Sequence, residues 1–264
     1  MFRTTVKPRK ADLSGLVRTR HDALDALRGV AILWMTLFHF AFDLNYFGFI
    51  QQDFYRSPVW TVQRTCILSL FLFCAGLGQA IAVSGAHSWP RFWRRWAQVA
   101  ACAVLVSAGS AIVFPHSWIY FGVLHGMAVM LLIARVTAGW NRWLWLAGLV
   151  AIAAGVLAPQ VHALWPQLDV LNGAALNWIG LVSRKPITED FVPLLPWLGV
   201  MWWGMATGQW IMARGWLRPG APVRSRSRIT AALALIGRWS LSWYMLHQPL
   251  LLGVLALVVA QNGR

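Results

Sequence analysis

The chain has 264 residues, of which 58% are hydrophobic and 12% are charged. Soluble domains carry about 25% charged residues, so this chain has roughly half the charge with which a soluble protein faces water. Its formal net charge of +15 is spread over short segments between apolar runs. That distribution argues against nucleic-acid binding, which needs a continuous basic face. The three cysteines lie within apolar runs and lack histidines at metal-ligand spacing, so no disulfide and no metal site is predicted.

Apolar runs that approach or exceed the roughly 20 residues needed to cross a bilayer recur along the chain. Spans are predicted at about 26–47, 65–83, 93–114, 119–136, 143–158, 191–212 and 239–260, with a short helix over 230–236 before the last. The sequence therefore predicts an all-α fold, a polytopic transmembrane helix bundle of about seven spans. An eighth span is the alternative if 161–181 enters the membrane. Its polar residues favour an outer loop or a re-entrant segment.

The basic residues predict the orientation of this bundle. With a cytoplasmic N-terminus, the cytoplasmic segments hold sixteen Arg and Lys residues and the outer segments hold five. Such an excess is the usual signature of the cytoplasmic side, so the N-terminus is predicted inside and the C-terminus outside. Residues 1–24 are interpreted as a basic cytoplasmic arm and 25–264 as a single transmembrane domain. No removable signal peptide is predicted.

The first span contains three ionisable residues, Arg28, His39 and Asp43. Such groups are costly in a bilayer and tend to be functional. His39 and Asp43 are four residues apart and share a helix face, so Asp43 is expected to orient the imidazole as a general base requires. Arg28 lies eleven residues before His39, an axial separation of about 16 Å at 1.5 Å per residue. A long ligand with an anionic end could bridge the two.

Later spans add further polar residues near irregular backbone. A lone histidine is more often structural, but His125, His247 and His39 come from three different spans, which indicates a shared cavity. Two prolines at 193 and 196 predict an irregular helix start, and Pro249 predicts a kink beside His247. The candidate cavity-lining residues are His125, Asp190, Trp197, Tyr244, His247 and Gln248. Gly76 and Gly78 are interpreted as sites of close helix packing.

Four stretches carry a family resemblance. They run from Asp25 through Arg28 and Gly29 to His39, over FGVLH at 121–125, over DFVPLLPWLG at 190–199, and over GRWSLSWYMLHQP at 237–249. Together they resemble the catalytic-domain family of heparan-alpha-glucosaminide N-acetyltransferase, in its short bacterial branch, from about residue 20 to 260. The Arg28–His39 interval also resembles a signature of the wider integral-membrane acyltransferase superfamily.

The resemblance implies an enzyme of the bacterial inner membrane that transfers an acyl group across it. The donor would be cytoplasmic acetyl-CoA or another acyl-CoA, with Arg28, Asp25 and Arg238 at its binding site. The acceptor would be a hydroxyl or amine of an extracytoplasmic glycan. His39 and Asp43 would be catalytic, and no permanently bound cofactor is implied. Membrane lipids, the donor and the acceptor are the expected partners.

Several alternatives stay open at this point. His39 could act as a general base or carry the acyl group covalently. The intramembrane His and Asp residues could instead form the proton relay of a coupled transporter, or the chain could be a non-enzymatic partner in an envelope assembly. The acceptor, the acyl length and homo-oligomer formation are not determined by the sequence.

Overall fold

The computed structural model describes residues 21–216, 227–261 and 263, and over these residues the chain is helical. Most of the predicted basic arm, residues 1–20, lies outside the described residues, as do Arg218, Arg224, Arg226 and Arg264. The helices are α1 (Asp22–Tyr46), α2 (Pro58–Ser84), α3 (Trp89–Val113), α4 (Val123–Val136), α5 (Trp143–Leu164), α6 (Leu194–Ala213), α7 (Arg228–Arg238) and α8 (Ser240–Gln261). Short 3-10 turns follow α4 and α5.

Prolines mark several helix starts. Pro58 and Pro90 stand in the first turns of α2 and α3, where the missing N–H has no intrahelical partner to lose. The predicted irregular start of the sixth span is confirmed: Pro193 precedes α6, and Leu195, just before Pro196, has non-helical φ and ψ of −100° and 134°. Helix α8 continues past Pro249.

Six helices are long and apolar enough to cross a membrane: α1, α2, α3, α4 with its 3-10 extension to Trp140, α5 and α8. The prediction of seven spans is therefore borne out for six. Helix α6, which covers the seventh predicted span, is not among these six; its 20 residues include four tryptophans and three glycines. The segment after α5 forms two short 3-10 turns at Pro166–Asn172 and Asn177–Ile179, so it supplies no eighth membrane-crossing helix.

The core lies where α2, α4 and α6 meet. Leu72, Met130, Met201 and Met205 are fully buried there. Glycines let the backbones approach closely: Gly76 faces the carbonyl of Met201, at a distance that leaves no room for a Cβ atom. Small residues at helix contacts are the usual solution in a membrane, where lipid gives helices little hydrophobic reason to associate. The packing prediction for Gly76 is thus confirmed.

Helix α7 is locked against the start of α1 in the same way. A Cβ on Gly29 would meet the carbonyl of Leu233, and a Cβ on Gly237 would meet the carbonyl of Asp25. The end of α7 is thereby fixed beside the first turn of α1, and α8 begins two residues after α7 ends. This arrangement places the polar residues of α8 along α1.

Candidate active site

Helix α8 is joined to α1 by three side-chain hydrogen bonds, which we call the α1–α8 seam. The indole N–H of Trp243 donates to Thr36 Oγ1 over 2.9 Å, and the Gln248 amide donates to Asp43 Oδ1 over 2.7 Å. Between them, His39 Nδ1 lies 2.7 Å from His247 Nε2. The seam therefore gathers both predicted catalytic residues and two of the predicted cavity residues.

The hydrogen bonds of His247 determine where its proton lies. His247 Nδ1 lies 2.8 Å from the carbonyl of Tyr244 and 3.2 Å from that of Trp243, and carbonyl oxygens only accept. A neutral His247 therefore carries its proton on Nδ1, and its Nε2 is an acceptor. Its partner, His39 Nδ1, must then be the donor. The remaining ring nitrogen of His39, Nε2, is left unprotonated, with a lone pair available to take a proton.

The geometry of the histidine pair supports this hydrogen bond. The two ring planes differ by only 13°, and the centroids are 5.0 Å apart. That separation exceeds the 2.7 Å nitrogen–nitrogen distance by about two ring radii, so the rings lie edge to edge with the bond nearly in their plane. His247 is 6% exposed, and His39 is half-buried.

Asp43 lies elsewhere than the sequence predicted. The spacing of four residues predicted that Asp43 orients His39. In the structure His39 is hydrogen-bonded to His247 instead, and Asp43 accepts from Gln248. Asp43 is 1% exposed, and its second oxygen, Oδ2, is buried with no partner among the described residues. Buried polar atoms without a partner are rare and often mark functional positions.

The predicted donor-binding residues meet at the other end of α1. Arg28 Nη1 donates to Asp25 Oδ1 over 3.1 Å, and Arg238 Nη2 donates to Asp22 Oδ1 over 2.9 Å. Arg238 Nε also lies 3.8 Å from Asp25 Oδ2. Two arginines thus face two carboxylates, and the charges of these four residues balance. Asp22 was not singled out from the sequence, because only the packing of α7 on α1 brings it to Arg238.

Gly78 leaves room on α2 for the side chain of Arg28. A Cβ at this glycine would lie 2.6 Å from Arg28 Nη2, so the guanidinium rests directly on the backbone of α2. Gly78 was interpreted from the sequence as a site of close helix packing, and the group that it accommodates is the Arg28 side chain of α1. Arg95 on α3 lies within electrostatic range of Arg28 and has no carboxylate partner among the described residues.

His125 and Asp190 belong to a second polar network. Gly122 N–H donates to His125 Nδ1, and Ser107 Oγ lies 3.0 Å from His125 Nε2 while donating to the carbonyl of Ile119. Both ring nitrogens of His125 are therefore engaged in holding the loop before α4. This network does not include the histidine pair, so hydrogen bonds do not join the three histidines into one cluster.

Asp190 closes the same network. Its Oδ2 accepts the N–H of Val123 over 2.8 Å, which satisfies one of the unpaired donors at the start of α4. Burial raises the pKa of Asp190, against the opposing effects of the Val123 N–H and of Lys185. Asp190 therefore acts as a cap at the start of α4.

The last two predicted residues pack in the interior. The ring of Tyr244 lies 5.9 Å from that of His247 and contacts both hydrophobic clusters of the protein. Trp197, in the first turns of α6, packs against the main core. Tyr244 therefore borders the histidine pair, and Trp197 supports the helix packing.

Six candidate spans and an intramembrane polar seam define a polytopic helical membrane protein with a buried site. The model of the family described as "Heparan-alpha-glucosaminide N-acetyltransferase, catalytic" matches residues 20–249. The chain belongs to this family, which uses acetyl-CoA as acetyl donor. Membership indicates a membrane-bound acetyltransferase and confirms the resemblance given by the sequence motifs. No curated protein and no solved structure matches the chain.

Proposed function

We propose that the protein transfers an acetyl group from cytoplasmic acetyl-CoA to a hydroxyl or amine of an extracytoplasmic glycan or related acceptor, with His39 as the general base. The observation that carries this proposal is the hydrogen-bonded pair of His39 and His247, which leaves His39 Nε2 unprotonated. A positioned imidazole within the membrane, in a family of acetyltransferases, is the group that such a transfer needs.

The transfer would proceed as follows. His39 Nε2 takes the proton of the acceptor hydroxyl or amine while the acceptor atom forms a bond to the thioester carbonyl carbon. The carbon–sulfur bond then breaks, and the thiolate of CoA leaves. The proton on Nε2 passes to that thiolate, which regenerates His39 and releases CoA and the acetylated acceptor. The positive charge on His39 would be shared with His247, whose Nε2 accepts the hydrogen bond from Nδ1.

The donor would enter at the opposite end of α1. CoA is polyanionic, and Arg28 is a forked donor suited to phosphate. Since Asp25 already occupies Arg28 Nη1, the donor would bind by displacing this carboxylate or by using Arg95, which is free of an acidic partner in the described part of the chain. We propose that this end of the bundle faces the cytoplasm of a bacterial inner membrane. About 16 Å of α1, at 1.5 Å per residue, would then separate the anionic end of the donor from the reactive thioester.

A proton-coupled transporter is less well supported. A relay through the three histidines needs His125 in line with His39 and His247. His125 instead uses both of its ring nitrogens to hold the loop before α4. The histidine pair, in a chain that belongs to an acetyltransferase family, favours group transfer.

The test is acetyl transfer from radiolabelled acetyl-CoA in membranes that contain the full chain. His39→Ala should lower the rate by about 100- to 10,000-fold, the usual contribution of a general base. His116→Ala, which removes an exposed histidine from a loop, is the matched control and should keep full activity. Full activity of His39→Ala would remove His39 from the mechanism.

The same membranes distinguish the two chemical routes. Incubation with labelled acetyl-CoA in the absence of acceptor should leave no label on the protein if His39 acts as a base. Acetylation of His39, detected by mass spectrometry after rapid quenching, would show that the acetyl group passes through the enzyme covalently.

A further inference from the structure

Three arginines lie where α3 begins and α4 ends, and we call them the α3 basic cluster. Arg91 and Arg94 are exposed in the first two turns of α3, and Arg135 is in the last turn of α4. Residues 54–168 contain no Asp or Glu, so α2, α3, α4 and α5 offer these arginines no carboxylate. The ion pairs between described residues use other arginines. The charge of the cluster is therefore not balanced within the described part of the chain.

The start of α3 adds to this positive charge. Its first turn contains no acidic residue, and its N-cap, Ser88, makes no side-chain hydrogen bond to it. The unpaired N–H groups give a helix N-terminus a partial positive charge, so cationic side chains there are unfavourable. A bound anion would relieve this repulsion, because it attracts both the helix end and the guanidinium groups.

Arg91 and Arg135 act on the same point of the loop before α3. Arg135 Nη2 donates to the carbonyl of His87 over 2.6 Å. The pKa of His87 is lowered by burial, and the positive charges of Arg91 and Arg135 lower it further. Two helices thus bring their arginines together, and the positive potential is concentrated beside this loop.

Arg135 has hydrogen-bonding capacity that the described residues do not use. Its guanidinium carbon lies 5.2 Å from the centre of the Trp89 ring and 5.7 Å from that of Phe92. Its Nη1 is buried and has no partner among the described residues. Buried donors without an acceptor are rare. Trp89 is 48% exposed, and a rotation of its ring would open Nη1 to an acceptor from outside the chain.

The surroundings of the cluster are those of a membrane interface. Helix α3 is one of the six candidate spans, and Val104 and Leu105 further along it are 66% and 61% exposed, as expected of side chains that face acyl chains. Trp89 and Trp93, at its start, are 48% and 46% exposed. Indole rings favour the level of the lipid headgroups. The arginines in the same turns are therefore at the depth of the lipid phosphates.

The cluster is separate from the proposed donor site. Arg28 and Arg238 form ion pairs with carboxylates at the start of α1. Arg135 instead contacts the loop before α3 and the first turn of α3. Arg95 lies within electrostatic range of Arg28, so we do not count it in the cluster.

We propose that the α3 basic cluster binds the headgroup of an anionic phospholipid such as phosphatidylglycerol. The phosphate is held by Arg91, Arg94 and Arg135, and the indoles of Trp89 and Trp93 pack against the glycerol and the upper acyl chains. A headgroup that carries its own cation, such as phosphatidylcholine, is repelled by the arginines. This binding does not depend on acetyl transfer and goes beyond the proposed function.

Lipid binding is measured by native mass spectrometry on the full chain, purified in detergent and titrated with phosphatidylglycerol or phosphatidylcholine of identical acyl chains. Phosphatidylglycerol should bind about tenfold more tightly or better, because each arginine beside an anionic headgroup contributes a several-fold gain. Arg91→Gln/Arg94→Gln should reduce this preference to about threefold or less. Arg56→Gln/Arg142→Gln removes two exposed arginines outside the cluster, has the same net charge, and should keep the preference.

Arg135→Lys separates a shaped site from a positive surface. Lysine keeps the charge but lacks the planar fork of the guanidinium, so phosphatidylglycerol should bind several-fold more weakly and phosphatidylcholine as before. Equal affinity of the unaltered protein for the two lipids would overturn the proposal. An equal loss of preference in the two double variants would do the same, since net charge alone would then explain the binding.

Soluble competitors identify the source of the anion. Glycerol 3-phosphate and acetyl-CoA, each at millimolar concentration, should leave phosphatidylglycerol bound. Displacement by glycerol 3-phosphate would show a site for soluble phosphate, and displacement by acetyl-CoA would show that the cluster is part of the donor site; either result overturns the proposal. His39→Ala should bind phosphatidylglycerol as the unaltered protein does, so a failure of the acetyl-transfer proposal leaves this test intact.

Discussion

Replacing His247 tests the link between the α1–α8 seam and catalysis. His247→Leu places an apolar side chain of similar size at this buried position. It removes the acceptor for His39 Nδ1–H. A buried donor without a partner costs about 1–3 kcal/mol. The ring of His39 can avoid this cost by moving its proton to Nε2, but that nitrogen is then no longer a base.

The expected magnitude follows from this competition. A penalty of about 1–3 kcal/mol on the active tautomer corresponds to a roughly 5- to 150-fold smaller active population. The rate of acetyl transfer at saturating acetyl-CoA should fall by the same factor. The KM for the donor should change little, because His247 contacts α1 at His39, eleven residues from Arg28. His247→Gln should retain more activity than His247→Leu, since its amide oxygen can replace Nε2 as acceptor.

Acetyl transfer from labelled acetyl-CoA measures this effect, with thermal unfolding in detergent as a parallel record of stability. Trp243→Phe is the matched control, because it removes the neighbouring hydrogen bond of the same seam without touching His39. Both variants should lose about 1 kcal/mol of stability, the usual worth of one hydrogen bond. The reasoning is refuted if Trp243→Phe loses as much activity as His247→Leu, since the seam would then matter only for holding α8 in place.

Substitutions at three further positions test the rest of the description. Gly78→Ala should leave the melting temperature nearly unchanged, because the flexible end of Arg28 can move aside. It should raise the KM for acetyl-CoA several-fold, and an unchanged KM would exclude Arg28 from the donor site. Gly76→Ala, two residues away, should destabilise the protein strongly, by about 1–3 kcal/mol as overpacking does, because its Cβ would meet the backbone of Met201. Asp190→Ala should lose about 0.5–2 kcal/mol of stability with its helix cap, and Asp190→Asn should lose less. Burial raises the pKa of Asp190 in the folded state above 3.8, so the folded state binds the proton more tightly than the unfolded state does. As pH falls through the folded pKa, the unaltered protein should therefore gain stability relative to Asp190→Asn. Thermal unfolding across acidic pH measures this difference, and a relative loss of stability would contradict the assignment.

Much of the helical framework could be predicted because a membrane imposes a length and a composition on each span. The first span was predicted at 26–47 and is observed at Asp22–Tyr46, and the short helix before α8 was also found. The fifth span was predicted at 143–158, and the helix continues past Pro159 to Leu164.

The site was harder to predict, for a physical reason. Spacing along one helix reveals which residues share a face, so Asp43 was taken as the partner of His39. It carries no information on which residue of a distant helix fills the space beside that face. His247 is 208 positions away in sequence and reaches His39 only because α7 is locked against the start of α1. The family motifs had placed both histidines among the candidates without pairing them.

The α1–α8 seam joins two residues that are synthesised at different times. His39 is synthesised 208 residues before the histidine that orients it. At roughly 5–20 residues per second, about 10–40 s of translation separate the two. Until α8 is made, the imidazole of His39 lacks the hydrogen bond to His247 that fixes its tautomer. The base that we propose is therefore complete only when α8 has packed on α1, so a chain truncated before His247 would hold all the residues of α1 and should lack activity.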